Sequence, residues 1–475
     1  MLASTTPSLG DLLAGIEPQE IELGTLDLAN SGTRVDGLYF YENKNNVPDF
    51  MSFDKLKRSL CAVIAKHYPV LVGRPTVNSE GKGVIVVDPA SLCMPDIKEV
   101  HIDHPAETFF AYSSKDKVDP SKEVKFFDLP KFYGTNGVER LPHATYHRDN
   151  ALTIVRVLRF KDSPYTAVAY SLLHGILDGA AATTFVRHWA EHTRNIDNAD
   201  YMLSSPPIHD RNVLYSRFDH VESAELPFIK HFKDFSGTAK FDSPENIAPI
   251  LLSTPDVPQM TEQHLLHISA ANMELIRQEV DRTQSITMVL SAVLARSMML
   301  ANTEAFGTEP QVAYVAIAYD IRKHSGVLQN FAGNASLVCI APLQKKSVSD
   351  GTYKDIANMI KERSMKTDDS YSKASIETIE NELGLLYHAS FSMCNSPQSS
   401  YFGLSNLRYM PFKAIDFGYG SPDILSFDYY SKDGMCRLYP NFQDGGIDLF
   451  INYTDACFER LCKIDLIAKY VEAIY

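Results

Sequence analysis

The sequence lacks three features that mark large classes of protein: cysteine pairs, an excess of positive charge and a long apolar run. Its seven cysteines include no Cys-x-x-Cys pair, which argues against a zinc knuckle or a disulfide framework and favours reduced thiols in the cytoplasm. A net charge of −14 disfavours nucleic acid and anionic membranes as partners. The longest apolar run, Ile286 to Ala301, is too short to cross a bilayer and contains Arg296. These absences predict a soluble, cytoplasmic protein.

Length and composition indicate a globular protein of more than one domain. A chain of 475 residues exceeds what one hydrophobic core usually serves, and an apolar fraction of 45% is ordinary for a soluble fold. Strand-like and helix-like patterns are mixed in both halves, whereas residues 201–258 show no sustained periodicity. We therefore predict an α/β protein with domains at residues 1–210 and 259–475, joined by a crossover at 211–258.

Three local patterns are clear enough to predict elements. The apolar runs Leu152 to Phe160 and Thr166 to Leu173 flank a turn-like segment and predict a β-hairpin. Ser285 is placed to cap a buried helix that begins near Thr287. A closing helix is predicted from Ala456 to the C-terminus.

The second arm of the predicted hairpin ends on His174, and a turn then carries Asp178 and Gly179 into the next helix. Histidine is mostly neutral yet still basic at pH 7, so it is suited to take a proton from a reacting group. A histidine at a strand end is also often structural. The stretch alone therefore leaves a catalytic and a structural role open.

Two motifs together resemble the BAHD superfamily of acyl-CoA-dependent acyltransferases. The first is His174-Gly-Ile-Leu-Asp178-Gly179, and the second is Asp416-Phe417-Gly418-Tyr419-Gly420, about 240 residues later. Asp320-Ile-Arg322, Gly333-Asn334 and Ser405-Asn-Leu-Arg408 extend the match, and Tyr419 stands where the family usually has tryptophan. Among members, the fungal trichothecene 3-O-acetyltransferase-like branch is the most similar.

This resemblance implies two chloramphenicol-acetyltransferase-like domains with a channel between them. Acyl-CoA, most simply acetyl-CoA, would enter as co-substrate from one face, and a small-molecule alcohol from the other. His174 would be the general base of a direct ternary-complex reaction, which needs no bound metal, no permanent cofactor and no Gly-x-Ser-x-Gly elbow. A monomer is expected, and amine acceptors remain an alternative to alcohols.

The other motif residues are predicted to be structural. Asp178 invites a triad interpretation, but the resemblance implies that it pairs with an arginine and points away from the site. Asp416, Gly418 and Gly420 would likewise form a tight bend remote from the chemistry. Arg322 and Arg408 are the candidate partners of Asp416, and the sequence does not choose between them.

Acyl transfer also needs a donor for the oxyanion and a site for CoA. The resemblance points to the stretch just before the second motif, so Ser405 and Asn406 are the oxyanion candidates. Ser285 and Thr287, at the start of a helix, are candidates to contact phosphate or pantetheine. For each of these two residues a plain helix cap is the simpler interpretation.

Three other functions compete with this prediction. His188-Trp-Ala-Glu191-His192 matches a zinc-protease pattern, although it falls on the helix that follows the first motif. A carrier-dependent condensation enzyme would typically have a second histidine where this chain has Leu173. A non-catalytic ligand-binding member of the fold would have no chemical reason to keep His174.

Overall fold

The structure is a computed structural model. It describes residues 7–30, 33–113, 123–136, 151–198, 201–225, 260–261, 263–306, 312–325, 329–394, 399–427, 431–432 and 434–475. Most of the crossover predicted at residues 211–258 lies outside these ranges. Its described beginning is helical, with turns at Asn212–Tyr215 and Ser216–Phe218.

Helices and strands alternate along much of the chain. The α-helices are α1 (Leu9–Leu12), α2 (Thr25–Ala29), α3 (Phe53–His67), α4 (Leu129–Asn136), α5 (Gly179–Arg194), α6 (Asn212–Tyr215), α7 (Ala270–Val280), α8 (Ile286–Phe306), α9 (Arg322–Ser325), α10 (Lys345–Asp350), α11 (Tyr353–Ser364), α12 (Asp369–Cys394), α13 (Asp455–Leu461) and α14 (Asp465–Tyr470). The strands are β1 (Gln19–Glu22), β2 (Arg34–Glu42), β3 (Arg74–Val77), β4 (Gly83–Val87), β5 (Asp96–Ile102), β6 (Phe110–Tyr112), β7 (Lys125–Phe127), β8 (Thr153–Phe160), β9 (Tyr165–Leu173), β10 (Met260–Thr261), β11 (Gln263–Ile268), β12 (Val312–Asp320), β13 (Ser336–Gln344), β14 (Ser399–Asn406), β15 (Ile424–Ser426), β16 (Ser431–Lys432), β17 (Met435–Pro440), β18 (Ile447–Asn452) and β19 (Glu472–Ala473).

The first large sheet holds the predicted hairpin. Its strand order is β15-β2-β9-β8-β5, and β8 and β9 are antiparallel neighbours, which confirms the hairpin. Every residue of β9 is buried, as expected of a central strand covered on both faces. One face packs against α3 and α5 through residues such as Leu60 and Trp189, and the other against an aromatic cluster around Phe127.

The second large sheet has the order β13-β12-β14-β17-β18-β11-β19. Helix α8 packs on it and is apolar around most of its circumference, which suits a helix covered on all sides. Ser285 caps α8, because its hydroxyl accepts a hydrogen bond from the N–H of Met288 at 3.3 Å. The predicted cap is therefore confirmed.

Strand β15 ties the two sheets together. It comes from the second half of the chain but pairs antiparallel with β2 of the first sheet, with Ile424 opposite Phe40. The loop that carries the second motif, Asp416 to Gly420, lies immediately before this strand. Its shape therefore controls where the chain crosses between sheets.

The single closing helix predicted from Ala456 is wrong. The chain forms α13 and α14 and then pairs as β19 with β11, where Glu472 lies opposite His267. Asp465, the first residue of α14, has a φ of 43°, a left-handed conformation that interrupts a helix. The apolar spacing continues across this break, so periodicity alone does not reveal it.

Candidate active site

His174 lies one residue beyond the central strand β9. Its backbone N–H donates to the carbonyl of Thr33 at 2.9 Å, which continues the β2–β9 pairing by one step. The chain then turns, with the N–H of Ile176 donating to the carbonyl of Leu173 at 3.0 Å, and α5 begins at Gly179. The side chain is partly buried. A rigid strand thus fixes the backbone of His174, and the residue as a whole is not fully buried.

Asn334 holds the imidazole of His174. Its amide nitrogen donates to the carbonyl of His174 at 2.8 Å and to the carboxylate of Asp27 at 2.8 Å. Both partners only accept hydrogen bonds, so the amide oxygen must face His174 Nδ1, at 3.0 Å. Nδ1 therefore carries the proton, and Nε2 keeps a free lone pair. This tautomer is the one required of a base acting through Nε2.

The surroundings of His174 favour its neutral form. Desolvation is the largest influence and lowers the pKa of His174 below its usual value of 6.5. The Asp178 carboxylate and the hydrogen bond to Asn334 oppose this shift, and the positive charge of Arg437 adds to it. The imidazole of His174 is therefore neutral at neutral pH, with Nε2 ready to accept a proton.

Asp178 faces away from the imidazole and into a buried cluster. It caps α5 by accepting from the N–H of Ala181 at 2.9 Å, and it accepts from the N–H of Ala335 at 2.9 Å. Arg322 donates two hydrogen bonds to it, at 2.9 and 3.0 Å. The side chains of Arg322 and Asp178 are 1% and 3% exposed. These contacts support the interpretation of Asp178 as a structural residue.

The second motif folds around its own aspartate. One carboxylate oxygen of Asp416 accepts from the N–H groups of Gly418, Tyr419 and Gly420 at 2.7, 2.9 and 2.8 Å. Gly418 and Gly420 have φ angles of 105° and 96°, a region that residues with a side chain rarely adopt.

The prediction that Arg322 or Arg408 pairs with Asp416 is wrong. Arg322 pairs with Asp178, and Arg408 contacts Asn406, while Arg194 donates to the backbone carbonyl of Asp416. The tight loop places three backbone donors around the carboxylate, which explains why the motif needs no distant cation.

One oxyanion candidate and one CoA candidate lie side by side. The amide nitrogen of Asn406 donates to the hydroxyl of Thr287 at 2.7 Å, and Arg408 Nε donates to the amide oxygen at 3.1 Å. Ser405 is the register partner of Arg437, the residue whose charge reaches His174. The end of β14 therefore brings Asn406 to the start of α8 and Ser405 beside Arg437, a residue whose charge acts on His174.

The histidines of the zinc-protease pattern are occupied in the core. His188 Nδ1 hydrogen-bonds to the hydroxyl of Tyr68 at 2.7 Å, and the His192 ring packs 5.3 Å from that of His67. Desolvation lowers the pKa of His188 to about 3 and that of His192 to about 4. Within the described ranges, no three His, Cys, Asp or Glu residues are grouped to hold a metal ion.

Asn334 is the residue that the sequence predictions did not assign to the site. The Gly333-Asn334 pair supported the resemblance but carried no function. It lies 160 residues from His174 in the chain, and no local pattern links the two. Only the folded neighbourhood shows that its amide sets the tautomer of the histidine.

The fold places the chain in a class of two-sheet α/β proteins, with a histidine just beyond a central strand. A family model described as "Transferase family" matches residues 15–461, and the chain belongs to that family, the BAHD acyltransferases. The α/β architecture predicted from the sequence is confirmed. Over the described residues, no helix combines the length and apolarity needed to cross a membrane.

Relatives within the family are named for the transfer of different acyl groups. A hydroxycinnamoyltransferase of Narcissus pseudonarcissus is 20% identical over 91% of this chain and 92% of its own length. Anthranilate N-benzoyltransferase protein 1 of Dianthus caryophyllus is 21% identical over 89% and 88%. The crystal structure of F. sporotrichioides TRI101 complexed with coenzyme A and T-2 has a TM-score of 0.69 at 13% identity, covering 96% of this chain and 100% of that one. That likeness concerns the fold.

Proposed function

We propose that the protein transfers an acyl group from acyl-CoA to a hydroxyl group of a small molecule, with His174 as the general base. The single observation that carries this proposal is the Asn334 bridge. It holds the proton on Nδ1 and leaves the Nε2 lone pair free, on a partly exposed residue at the end of a rigid strand. Membership of the acyltransferase family and the lowered pKa of His174 support the same function.

The reaction follows from this geometry in two steps. Nε2 takes the hydroxyl proton as the acceptor oxygen attacks the thioester carbonyl carbon, and a tetrahedral intermediate forms. Its collapse breaks the C–S bond, and the proton on Nε2 passes to the CoA sulfur, so the histidine is regenerated. A positioned base of this kind contributes about 10²–10⁴-fold to the rate. Both substrates are bound together, and no acyl-enzyme forms.

Ser405 and Asn406 are proposed to stabilise the oxyanion. Ser405 is the register partner of Arg437, whose charge acts on His174, and Asn406 follows Ser405 on the same strand, which supports the proposal. Losing the one donor that matters should lower turnover by about 10²–10³-fold. Turnover of Ser405→Ala and Asn406→Ala tests this, and unchanged rates in both variants would remove the assignment.

CoA binding is proposed at the start of α8. Ser285 caps that helix and the Thr287 hydroxyl accepts from Asn406, so both residues border the same region as the oxyanion candidates. We propose acetyl-CoA as the donor and membership of the trichothecene 3-O-acetyltransferase-like branch, which the sequence motifs resemble. A two-domain division at residues 1–210 and 259–475, a monomer and a cytoplasmic location complete the proposal.

N-acylation is the second candidate function. A relative named for N-benzoyl transfer matches over most of the chain. An amine acceptor would use the same base, so the site chemistry described above does not separate the two.

The test is release of free thiol from a panel of acyl-CoA thioesters, with alcohols and amines offered as acceptors. His174→Ala should lose about 10²-fold or more of the turnover. His101→Ala is the matched control, because that side chain is 77% exposed on β5 and should leave turnover unchanged. Near-full activity of His174→Ala with an accepted substrate would overturn the proposed mechanism. A wild-type chain that turns over none of the panel, while still binding acyl-CoA, would favour a non-catalytic member.

A further inference from the structure

We propose that Asp27 is a positioning residue for His174, acting through Asn334 from a helix near the start of the chain. The inference rests on the proposed function, because it concerns how the base is kept in its active tautomer. Asp27 lies in α2 and is 147 residues from His174 in sequence, yet one side chain separates the two. The family motifs do not include it.

Asp27 is fully engaged by donors. One oxygen accepts from both the backbone N–H and the side-chain amide of Asn334, at 2.9 and 2.8 Å. The other accepts from the N–H of Gly24 at 3.0 Å and from Arg211 Nε at 2.9 Å. Asp27 is 1% exposed and Asn334 is 1% exposed. The carboxylate of Asp27 therefore holds both the backbone N–H and the side-chain amide of Asn334 in a buried site.

Arg211 compensates the buried negative charge of Asp27 and also hydrogen-bonds to the neighbouring backbone. It donates to the carbonyls of His209 and Ala332 at 2.9 and 2.8 Å, in addition to Asp27. Gly333 permits this close packing, since a Cβ there would lie 3.1 Å from Arg211 Cζ and 2.8 Å from the Phe331 ring. The segment before Asn334 is therefore locked between Asp27 and Arg211.

The orientation of the Asn334 amide depends on Asp27. The carboxylate of Asp27 and the carbonyl of His174 both accept from the amide nitrogen, and the charged carboxylate is the stronger acceptor that keeps this nitrogen away from Nδ1. If the amide turned over, its nitrogen would face Nδ1 and favour the tautomer with the proton on Nε2. That tautomer has no lone pair to receive the proton of the acceptor. Asp27 therefore prevents an inactive arrangement that differs from the active one by one amide rotation.

The variant that separates this role from simple support is Asp27→Asn. It keeps the size of the side chain but offers a mixed donor and acceptor to Asn334 and Arg211. Tyr215→Phe is the matched control. Its hydroxyl accepts from the N–H of Leu26 at 3.0 Å, so its loss weakens the anchoring of the same helix without touching Asn334.

We expect Asp27→Asn to lower kcat about 10-fold, the equivalent of one charge-assisted hydrogen bond, with the KM for acyl-CoA unchanged. The acid limb of the kcat/KM profile should also move to lower pH. The Asn334 hydrogen bond raises the pKa of His174, and losing it removes one of the influences that oppose desolvation and the charge of Arg437. Tyr215→Phe should keep the wild-type kcat and acid limb.

The decisive measurement is a double-mutant cycle with Asn334→Ala. If Asp27 acts through Asn334, adding Asp27→Asn to Asn334→Ala should change kcat by less than about 2-fold. Additive losses, or a wild-type acid limb in Asp27→Asn, would overturn the inference and leave Asp27 a structural residue. If Asp27→Asn does not fold, Asp27→Glu keeps the charge opposite Arg211 and enters the same cycle.

The outcomes also separate this inference from the proposed function. Loss of activity in His174→Ala and Asn334→Ala, with full activity in Asp27→Asn, contradicts the role of Asp27 alone. Full activity in His174→Ala contradicts the proposed function itself.

Discussion

His174 and His267 each present Nδ1 to a side-chain oxygen, but the two oxygens differ in charge. The partner of His174 is the Asn334 amide, at 3.0 Å, and the partner of His267 is the Asp448 carboxylate, at 2.8 Å. His267 Nε2 also contacts Asp444, at 3.2 Å. The first histidine is partly exposed, whereas the second is 3% exposed on β11.

The difference in partner leads to opposite protonation. Desolvation lowers the pKa of His174, and the neutral amide only partly offsets it. Desolvation also opposes the charged form of His267, but Asp444 and Asp448 outweigh it and raise the pKa of His267 to about 9. A histidine between carboxylates is a buried cation, and a histidine on an amide remains a base. This contrast explains why Asp178 serves the site better by pairing with Arg322 than by contacting the imidazole.

The largest expected effects come from replacing each of the two histidines by glutamine, which should lower turnover in one case and stability in the other. His174→Gln should lower turnover by about 10²-fold or more, and it should cost at most about 1 kcal/mol of unfolding free energy. His267→Gln leaves two buried carboxylates without their cation, so it should cost about 3–5 kcal/mol. Turnover per folded molecule should not change in His267→Gln.

Thiol release and urea denaturation measure the two quantities. Trp189, the one tryptophan of the chain, reports unfolding by its fluorescence. A stability loss of less than about 1 kcal/mol in His267→Gln would show that the cluster is not the buried ion group described here.

The second prediction concerns stability against pH. The folded pKa of His267 is raised from 6.5 to about 9, so its stabilising contribution is fully present below pH 6.5 and is lost as pH rises through 9. That shift corresponds to about 3 kcal/mol. Denaturation midpoints between pH 6 and 10 should therefore fall in the wild type and stay flatter in His267→Gln. A parallel decline in both proteins would contradict the assignment.

A third prediction gives His174 the partner type of His267. Asn334→Asp places one carboxyl oxygen against Nδ1 and the other against the Asp27 carboxylate, so the two carboxyls share one proton. The negative charge of this pair then reaches the imidazole and should raise the pKa of His174. The acid limb of kcat/KM, expected below pH 6.5 in the wild type, should move to higher pH. Asn334→Ala is the comparison, because it removes the hydrogen bond without adding charge and should move the limb to lower pH. Shifts in the same direction in both variants would mean that Asn334 does not govern the titration.

The sequence predicts local features of this molecule well and long-range partners poorly. The hairpin that ends on His174 and the Ser285 cap follow from patterns within a few residues. The Asn334 contact joins residues 160 apart, and the His267–Asp448 contact joins residues 181 apart. No periodicity encodes such pairs, because they depend on which strands become neighbours.

For Asp416 the sequence prediction overlooked local partners in favour of a distant one. A distant arginine is a reasonable partner for a carboxylate, but two glycines with positive φ bring three backbone N–H groups to it first. The helix break at Asp465 is missed for a related reason, since apolar spacing does not report a local backbone conformation.

The smallest expected effect tests whether the charged imidazole of His267 interacts with an aromatic ring from the first half of the chain. The ring of Phe126, on β7, lies 5.1 Å from the ring of His267 and is 3% exposed. A charged imidazole at this distance gains about 0.5–1 kcal/mol from an aromatic face, and a neutral one does not gain it. Phe126→Leu should therefore cost about that much more unfolding free energy at pH 7 than at pH 10. Phe132→Leu, in the aromatic cluster beside Phe127, is the control and should cost the same at both values. If Phe126→Leu lowers the unfolding free energy equally at the two pH values, the charged imidazole of His267 interacts only with Asp444 and Asp448 and not with the ring of Phe126.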